Sequence, residues 1–501
     1  MFKNLAVQTK EFFRPWPNRI FALVVLLFVA EASYLAIMNS YPMAYDESYH
    51  FGLIQFYSQN LNPFVSSQDA STYVYGNIVD NPSWLYHYLL SFPYRLLELT
   101  GSLRTEVTGL RMFSVAFVAA SLVVLYRIAH QLRLPSWLGV LVVAIFALTP
   151  VVTVLSAQMN YDNLIIFITL ACVSVLLSLF AQARTGVVAP RSLFAMISLV
   201  CFGSLVKFSF LPLALAFALA TVGLVLYVVS KKRGQAFTAF GQSIRSANKW
   251  VIGTLAALTL LITSLTIGFY GQNVAQYKTP VPDCAQVLSV QACMAYSPWS
   301  RNYTLETAYQ AGGVETTANT LLYIKGWVLT MTTQLFGNIA PNGGFSYADK
   351  KLLIVFALAM LVTGIVALLS IVTTLKTYPQ LGLVLGIAVL YLAALFLRNY
   401  TEFLRFGIPT AIQGRYFAPV LAILYLAIAI GAYTWVTQRK HNYRLMQLGL
   451  ATLVLGSMVT FGGAMSYASG VLPNYQWQDE NNLQNAVSSA QLAVVTKPTE
   501  N

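Results

Sequence analysis

The stretch IFALVVLLFVAEASYLAIMNSYPMAYDESYHFG, Ile20 to Gly52, carries the signal that decides the fold. The run from Ile20 to Asn39 is almost wholly apolar, broken only by Glu31 and a few small polar residues. It then gives way to an acidic pair, Asp46-Glu47, with His50 just beyond. An α-helix needs about 20 such residues to cross ~30 Å of hydrocarbon. The run is too long and too far along for a signal peptide, and no small-residue cleavage pattern follows it. It therefore reads as a first transmembrane helix.

The rest of the chain repeats this pattern. Of 501 residues, 57% are hydrophobic and 9% are charged, with a mean hydropathy of +0.64. A soluble protein of this length carries about 25% charged residues. The chain is expected to be an all-α polytopic membrane protein, which excludes soluble-enzyme classes. Apolar runs at 20–39, 107–129, 136–156, 162–183, 192–207, 209–230, 250–270, 351–374, 381–397, 416–437 and 445–465 predict about 11 transmembrane helices. Residues 83–99 and 318–340 are apolar but short, aromatic-rich and internally basic, and read as helices lying in the interface. Residues 1–465 form one transmembrane module, with outer loops 40–106 and 271–350, and residues 466–501 form an extracytoplasmic tail.

The formal net charge of +13 does not point to nucleic acid, because its distribution follows the membrane. With the N-terminus inside, the cytoplasmic segments hold 17 of the 30 Lys and Arg and a single acid, Glu11. That is the positive-inside asymmetry. It places Asp46, Glu47, Asp162, Lys207, Arg405 and Arg415 on the outer side. Cys172 and Cys201 sit in apolar runs as small hydrophobes. Cys284 and Cys293 share a polar outer loop, where a disulfide would require an oxidising compartment.

Four stretches carry candidate chemistry. In MAYDESYHFG (Met43–Gly52), a carboxylate beside another can act as a base toward an acceptor hydroxyl. Asp46, Glu47 and His50 could equally hold a divalent cation. A plain helix start, with Asp46 near the N-terminal dipole, fits the spacing as well. In SAQMNYDNLIIF (Ser156–Phe167), Asp162 reads as an N-cap or as a second acid. In GSLVKFSFLPL (Gly203–Leu213), Lys207 sits between apolar runs, where a charge needs a partner, a watery cavity or a route to the interface. In RNYTEFLRFGIPTAIQGRYFAPVLA (Arg398–Ala422), Arg405 and Arg415 flank an outer loop. Arginine's planar fork suits phosphate oxygens, and interfacial anchoring is the alternative. His87 reads as interfacial, and Glu31 as paired within the bundle. No Gly-rich nucleotide loop and no Cys/His metal cluster is legible.

These pieces, in this order, resemble the GT-C glycosyltransferases, polytopic enzymes that use polyprenyl-phosphate-linked sugars. The acidic pair after the first helix is followed by an interfacial stretch from Asn81 and an Arg-started second span at Arg111. Then come Asp162, the LVKFSFLPL segment and QGRYFAPVLAILYLAIAIG. The pattern is most similar to a bacterial branch of the protein-mannosyltransferase-like group. It departs where members often have His-Pro-Pro and this chain has Asn81-Pro82-Ser83.

The resemblance implies a GT-C type bundle in a bacterial plasma membrane. It implies inverting transfer of a hexose or pentose from a polyprenyl-phosphate donor to a protein, lipid or glycan acceptor. Asp46 would be the base, and Glu47 and Asp162 would orient the acceptor or hold Mg or Mn. Lys207, Arg405 and Arg415 would bind the donor phosphate, with His50 and Arg111 in support. A lipid-glycan flippase, or a glycan polymerase or ligase, are the alternatives. A flippase predicts inverted repeats and helices broken near the midplane, and neither is clearly legible.

Overall fold

The computed structural model describes residues 15–43, 45–232, 240–242, 244–245, 248–312, 320–336 and 362–438. Its longer helices are α1 (Trp16–Met38), α2 (Glu47–Ser58), α3 (Leu85–Glu98), α4 (Leu103–Gln131), α5 (Ser136–Ala147), α6 (Pro150–Ser156) and α7 (Tyr161–Thr185). They continue with α8 (Pro190–Val206), α9 (Leu211–Lys232), α10 (Lys249–Tyr277), α11 (Ser297–Gln310), α12 (Thr320–Phe336), α13 (Pro379–Phe406) and α14 (Ala418–Gln438).

Among the described residues, seven helices are long and apolar enough to cross a membrane, or eight if α5 and α6 count as one bent span. Nine of the eleven expected spans fall wholly among these residues: these seven, the bent pair and one shorter helix. The run at 192–207 becomes α8, whose 17 residues extend about 25 Å, just short of a usual span. The run at 136–156 is two helices meeting at 65°. Pro150 explains the break: it has no N–H to donate and disfavours helical geometry at Thr149. The Thr149 hydroxyl fills the gap by bonding to the Ile145 carbonyl and the Tyr425 hydroxyl. The expected span at 445–465, and half of that at 351–374, lie outside the described residues.

α7 and α14 lie at the centre. In each, 67% of the apolar window is buried, and α7 packs against α4, α8, α9 and α14. Only 11% of the corresponding window of α10 is buried, the pattern of a helix that borders lipid. Helix ends are locally encoded. Asn160 caps α7 through its side chain, Gly186 closes it at φ 78°, and Ser102 caps α4.

Because the long helices alternate in direction, the end of α1 meets the starts of α4, α7, α9 and α14 at one end of the bundle. The expected interfacial segments gather at this end. α3 packs on α2 and α4, and α12 packs on α6 and the short turn Gly414–Phe417. The opposite end is tied by Tyr126 to Asn18 and by Gln182 to Ser192.

Candidate active site

The segment between α1 and α2 is fixed by one buried arginine. Arg111, one-third of the way along α4, is fully buried and uses all five N–H groups. Its Nε and Nη2 donate to the two Glu47 oxygens at 2.8 and 2.7 Å. Its remaining hydrogens go to the carbonyls of Ala36, Asn39 and Ser40. Glu47 also accepts from the backbone N–H of Met43 and of Met159, the latter just before α7. Glu47 is therefore saturated and out of reach of an acceptor. The role expected for it in orienting acceptor or metal is corrected: it is the keystone of the loop.

This grip presents Asp46. Tyr45 and Asp46 both lie in the left-handed region, at φ 63° and 67°. Each such non-glycine residue costs on the order of 1–3 kcal/mol and persists only where its surroundings over-determine it. Here Arg415 Nη1 and Asn160 Nδ2 both donate to the Tyr45 carbonyl. Asp46 precedes α2 but its side chain does not cap it. Its carboxylate instead accepts from Arg415 Nη2 at 2.7 Å while the side chain stays 59% exposed.

Two cations share this corner. Arg415 is buried between the rings of Tyr45 and Tyr416, at 4.8 and 5.3 Å, and its Nε has no hydrogen-bond partner among the described residues. Lys207 occupies an extended residue between α8 and the turn before α9. Its ammonium lies 2.5 Å from Asp162 and 4.4 Å from the Tyr161 ring, with Tyr416 at 5.4 Å. Lys207 is buried, so interfacial snorkelling does not describe it. Asp162 is not the cap of α7; Asn160 is, and Asp162 carries the counter-charge of Lys207. Its second oxygen is buried without a partner among the described residues. Tyr416, stacked against both cations, makes the two ion pairs one site.

Two expectations fail here. Arg405 does not join the cluster; it is mostly exposed and forms a two-point pair with Glu306 of α11. His50 does not join Asp46 either. Its Nδ1 faces His87 Nε2 at 2.9 Å, and its ring sits edge-on to Tyr161 at 4.5 Å. His87, read from sequence as interfacial, is 1% exposed and belongs to this inner layer. Its only sequence signal is its place in the first turn of a short amphipathic helix, which surface histidines share. Burial, then His87, then the charges of Arg415 and Lys207 hold His50 well below the usual histidine range. Burial brings His87 down to about 3.

A cation held by Asp46, Glu47 and His50 does not fit this geometry. The Glu47 oxygens are occupied by Arg111 and two backbone N–H groups, and His50 turns to His87. Among the described residues no group of three or more His, Cys, Asp or Glu could hold a metal ion. Cys284 and Cys293 are disulfide-bonded in the loop on this same end.

The architecture defines an all-helical, multi-pass membrane protein with a charged site at one end of its bundle. The chain belongs to the family described as predicted membrane protein (DUF2142), whose model matches residues 91–424. No curated protein matches it significantly. Among solved structures it is similar to the Archaeoglobus fulgidus oligosaccharyltransferase, with a TM-score of 0.45 and 13% identity. That match covers 95% of this chain, which spans only 60% of the oligosaccharyltransferase. It is also similar to ArnT from Cupriavidus metallidurans bound to undecaprenyl phosphate, with a TM-score of 0.41 and 13% identity, covering 90% of this chain and 75% of that one.

Proposed function

We propose that this protein is a GT-C type glycosyltransferase. It moves a sugar from a polyprenyl-phosphate donor to a hydroxyl acceptor on the outer face of the membrane. The observation that carries this reading is the Asp46–Arg415 pair standing beside the Lys207–Asp162 pair, with Asp46 alone open to solvent. Such a corner offers a base and an anion site a few ångströms apart. The positive-inside distribution supports an outward orientation.

In this reading the donor phosphate lies against Arg415 and Lys207. It uses the unpartnered Arg415 Nε and competes with Asp46 for the rest of the guanidinium. Donor binding thus releases the Asp46 carboxylate toward the acceptor. Asp46 takes the acceptor hydroxyl proton, and the acceptor oxygen attacks the anomeric carbon from the face opposite the phosphate. The bond from that carbon to the phosphate oxygen breaks with inversion, and the electron pair leaves on the phosphate. Arg415 and Lys207 stabilise that charge in a dry site, where preorganised cations contribute most. Asp162 keeps Lys207 in place, and Glu47 with Arg111 keeps Asp46 in place.

The flippase alternative draws on the break between α5 and α6 at Pro150. That break is packed shut: every residue of α6 is buried and Thr149 is bonded on both sides. The test is transfer of a hexose from a polyprenyl-phosphate donor to an octyl hexoside by purified protein in nanodiscs. Asp46→Asn should reduce it by roughly 10²–10⁴-fold. Undiminished transfer by this variant would remove Asp46 as the base.

A further inference from the structure

The outer loop between α10 and α12 has no part in the mechanism above, yet its Tyr296 lies near enough to Asp46 to feel that charge. The ring of Tyr296 lies 6.0 Å from that of Tyr49, which in turn lies 6.2 Å from Tyr75. Tyr49 lies one turn along α2 from Asp46, and the Asp46 charge acts on the hydroxyls of both Tyr49 and Tyr296, so this aromatic cluster stands near the exposed carboxylate. Burial raises the Tyr296 hydroxyl to about 12, with the Asp46 charge adding to that rise.

The loop is pinned on both sides of Tyr296. On one side, the Tyr296 N–H donates to the carbonyl of Cys293, which is bonded to Cys284. On the other, α11 begins at the next residue and is tied to α13 by the Glu306–Arg405 pair. Beneath it, Gly76 has φ 72°, and a Cβ there would stand 2.8 Å from the Tyr296 ring. The glycine leaves the space that the tyrosine fills. The first outer loop is thus shaped to receive a residue of the second.

We infer that Tyr296 is a positioning residue for the acceptor, held beside Asp46 by the Cys284–Cys293 cross-link and the Arg405–Glu306 clamp. The inference rests on the transfer reading above. It gives Arg405 a different task from the phosphate contact expected from sequence. It also makes the acceptor step dependent on the oxidised state of the loop. An aromatic wall with hydroxyl edges offers an apolar face and hydrogen-bond partners together, which suits a hydroxyl-bearing acceptor laid against it.

The experiment uses the full chain in nanodiscs, with a polyprenyl-phosphate hexose as donor and an octyl hexoside as acceptor. Tyr296→Ala should raise the acceptor KM about tenfold while the donor KM stays unchanged. Tyr296→Phe, which keeps the ring, should recover most of the loss. Reductant, with cleavage of the bridge verified by mass, should reproduce the Tyr296→Ala defect in the wild type. An acceptor KM unmoved by Tyr296→Ala or by verified reduction overturns the inference alone. Failure of the wild type to transfer at all overturns the parent reading, and this inference with it.

Discussion

Replacing Arg111 by Met tests the mechanical basis of the site. The side chain lies in full burial and donates five hydrogen bonds, two to Glu47 and three to backbone carbonyls at the end of α1. Its removal leaves Glu47 as a buried charge with only the N–H groups of Met43 and Met159. Breaking a buried pair in this way costs about 3–5 kcal/mol. The double variant Arg111→Met, Glu47→Leu removes the charge problem, and such apolar replacements are often close to neutral. Here recovery should be partial, because in both variants the carbonyls of Ala36, Asn39 and Ser40 also lose their donor, an added ~1–3 kcal/mol for each that is buried and left bare. Thermal unfolding of the detergent-solubilised protein should rank wild type above the double variant and the double variant above Arg111→Met. An Arg111→Met protein within about 1 kcal/mol of wild type would refute the argument.

Three further outcomes follow from the same geometry. Gly414→Ala should displace Arg415 and weaken donor binding, because its Cβ would lie 2.8 Å from the backbone of Gln334 in α12; polyprenyl-phosphate binding by native mass spectrometry reads this. The protein should lose stability as pH falls, because His50 and His87 are held neutral in the fold and the unfolded chain takes up their protons near pH 6.5. For His87 the stability is full above that pH and declines through the window down to about 3, by up to about 1.4 kcal/mol per pH unit; His87→Asn should flatten the profile in thermal-shift measurements between pH 7 and 5. Arg405→Ala should leave polyprenyl-phosphate binding unchanged, since Arg405 faces Glu306 outside the cation cluster and an exposed pair contributes only ~0.2–1 kcal/mol.

Much of the fold is legible in the sequence, because a membrane span needs an unbroken apolar run and little else shapes it. The exceptions are physical. One proline splits the run at 136–156, and a tertiary bond through Thr149 to Tyr425, 276 residues away, makes the bend tolerable. No local pattern encodes that. The site divides in the same way. Lys207 stood out because a charge between two apolar runs must be accommodated, and it is accommodated by Asp162. The adjacent carboxylates of Asp46 and Glu47 carry the same local signal in the sequence. Only the fold separates them, turning one inward to Arg111 and leaving the other open beside Arg415. Arg405 and Arg415 flank one short loop, but helix direction sends one to Glu306 and the other inward. The burial of His87 is not legible locally, because its partner His50 lies 37 positions away.

In the proposed mechanism Arg415 and Lys207 form one anion site to which Asp46 is a releasable counter-ion. Native mass spectrometry of the intact protein with added polyprenyl phosphate tests this directly. A stoichiometric complex is expected with the wild type and with Asp46→Asn, and at least about a tenfold loss for Arg415→Gln and for Lys207→Gln, the scale of one charge-assisted hydrogen bond. Equal binding by all four proteins, or no binding by the wild type, would contradict it.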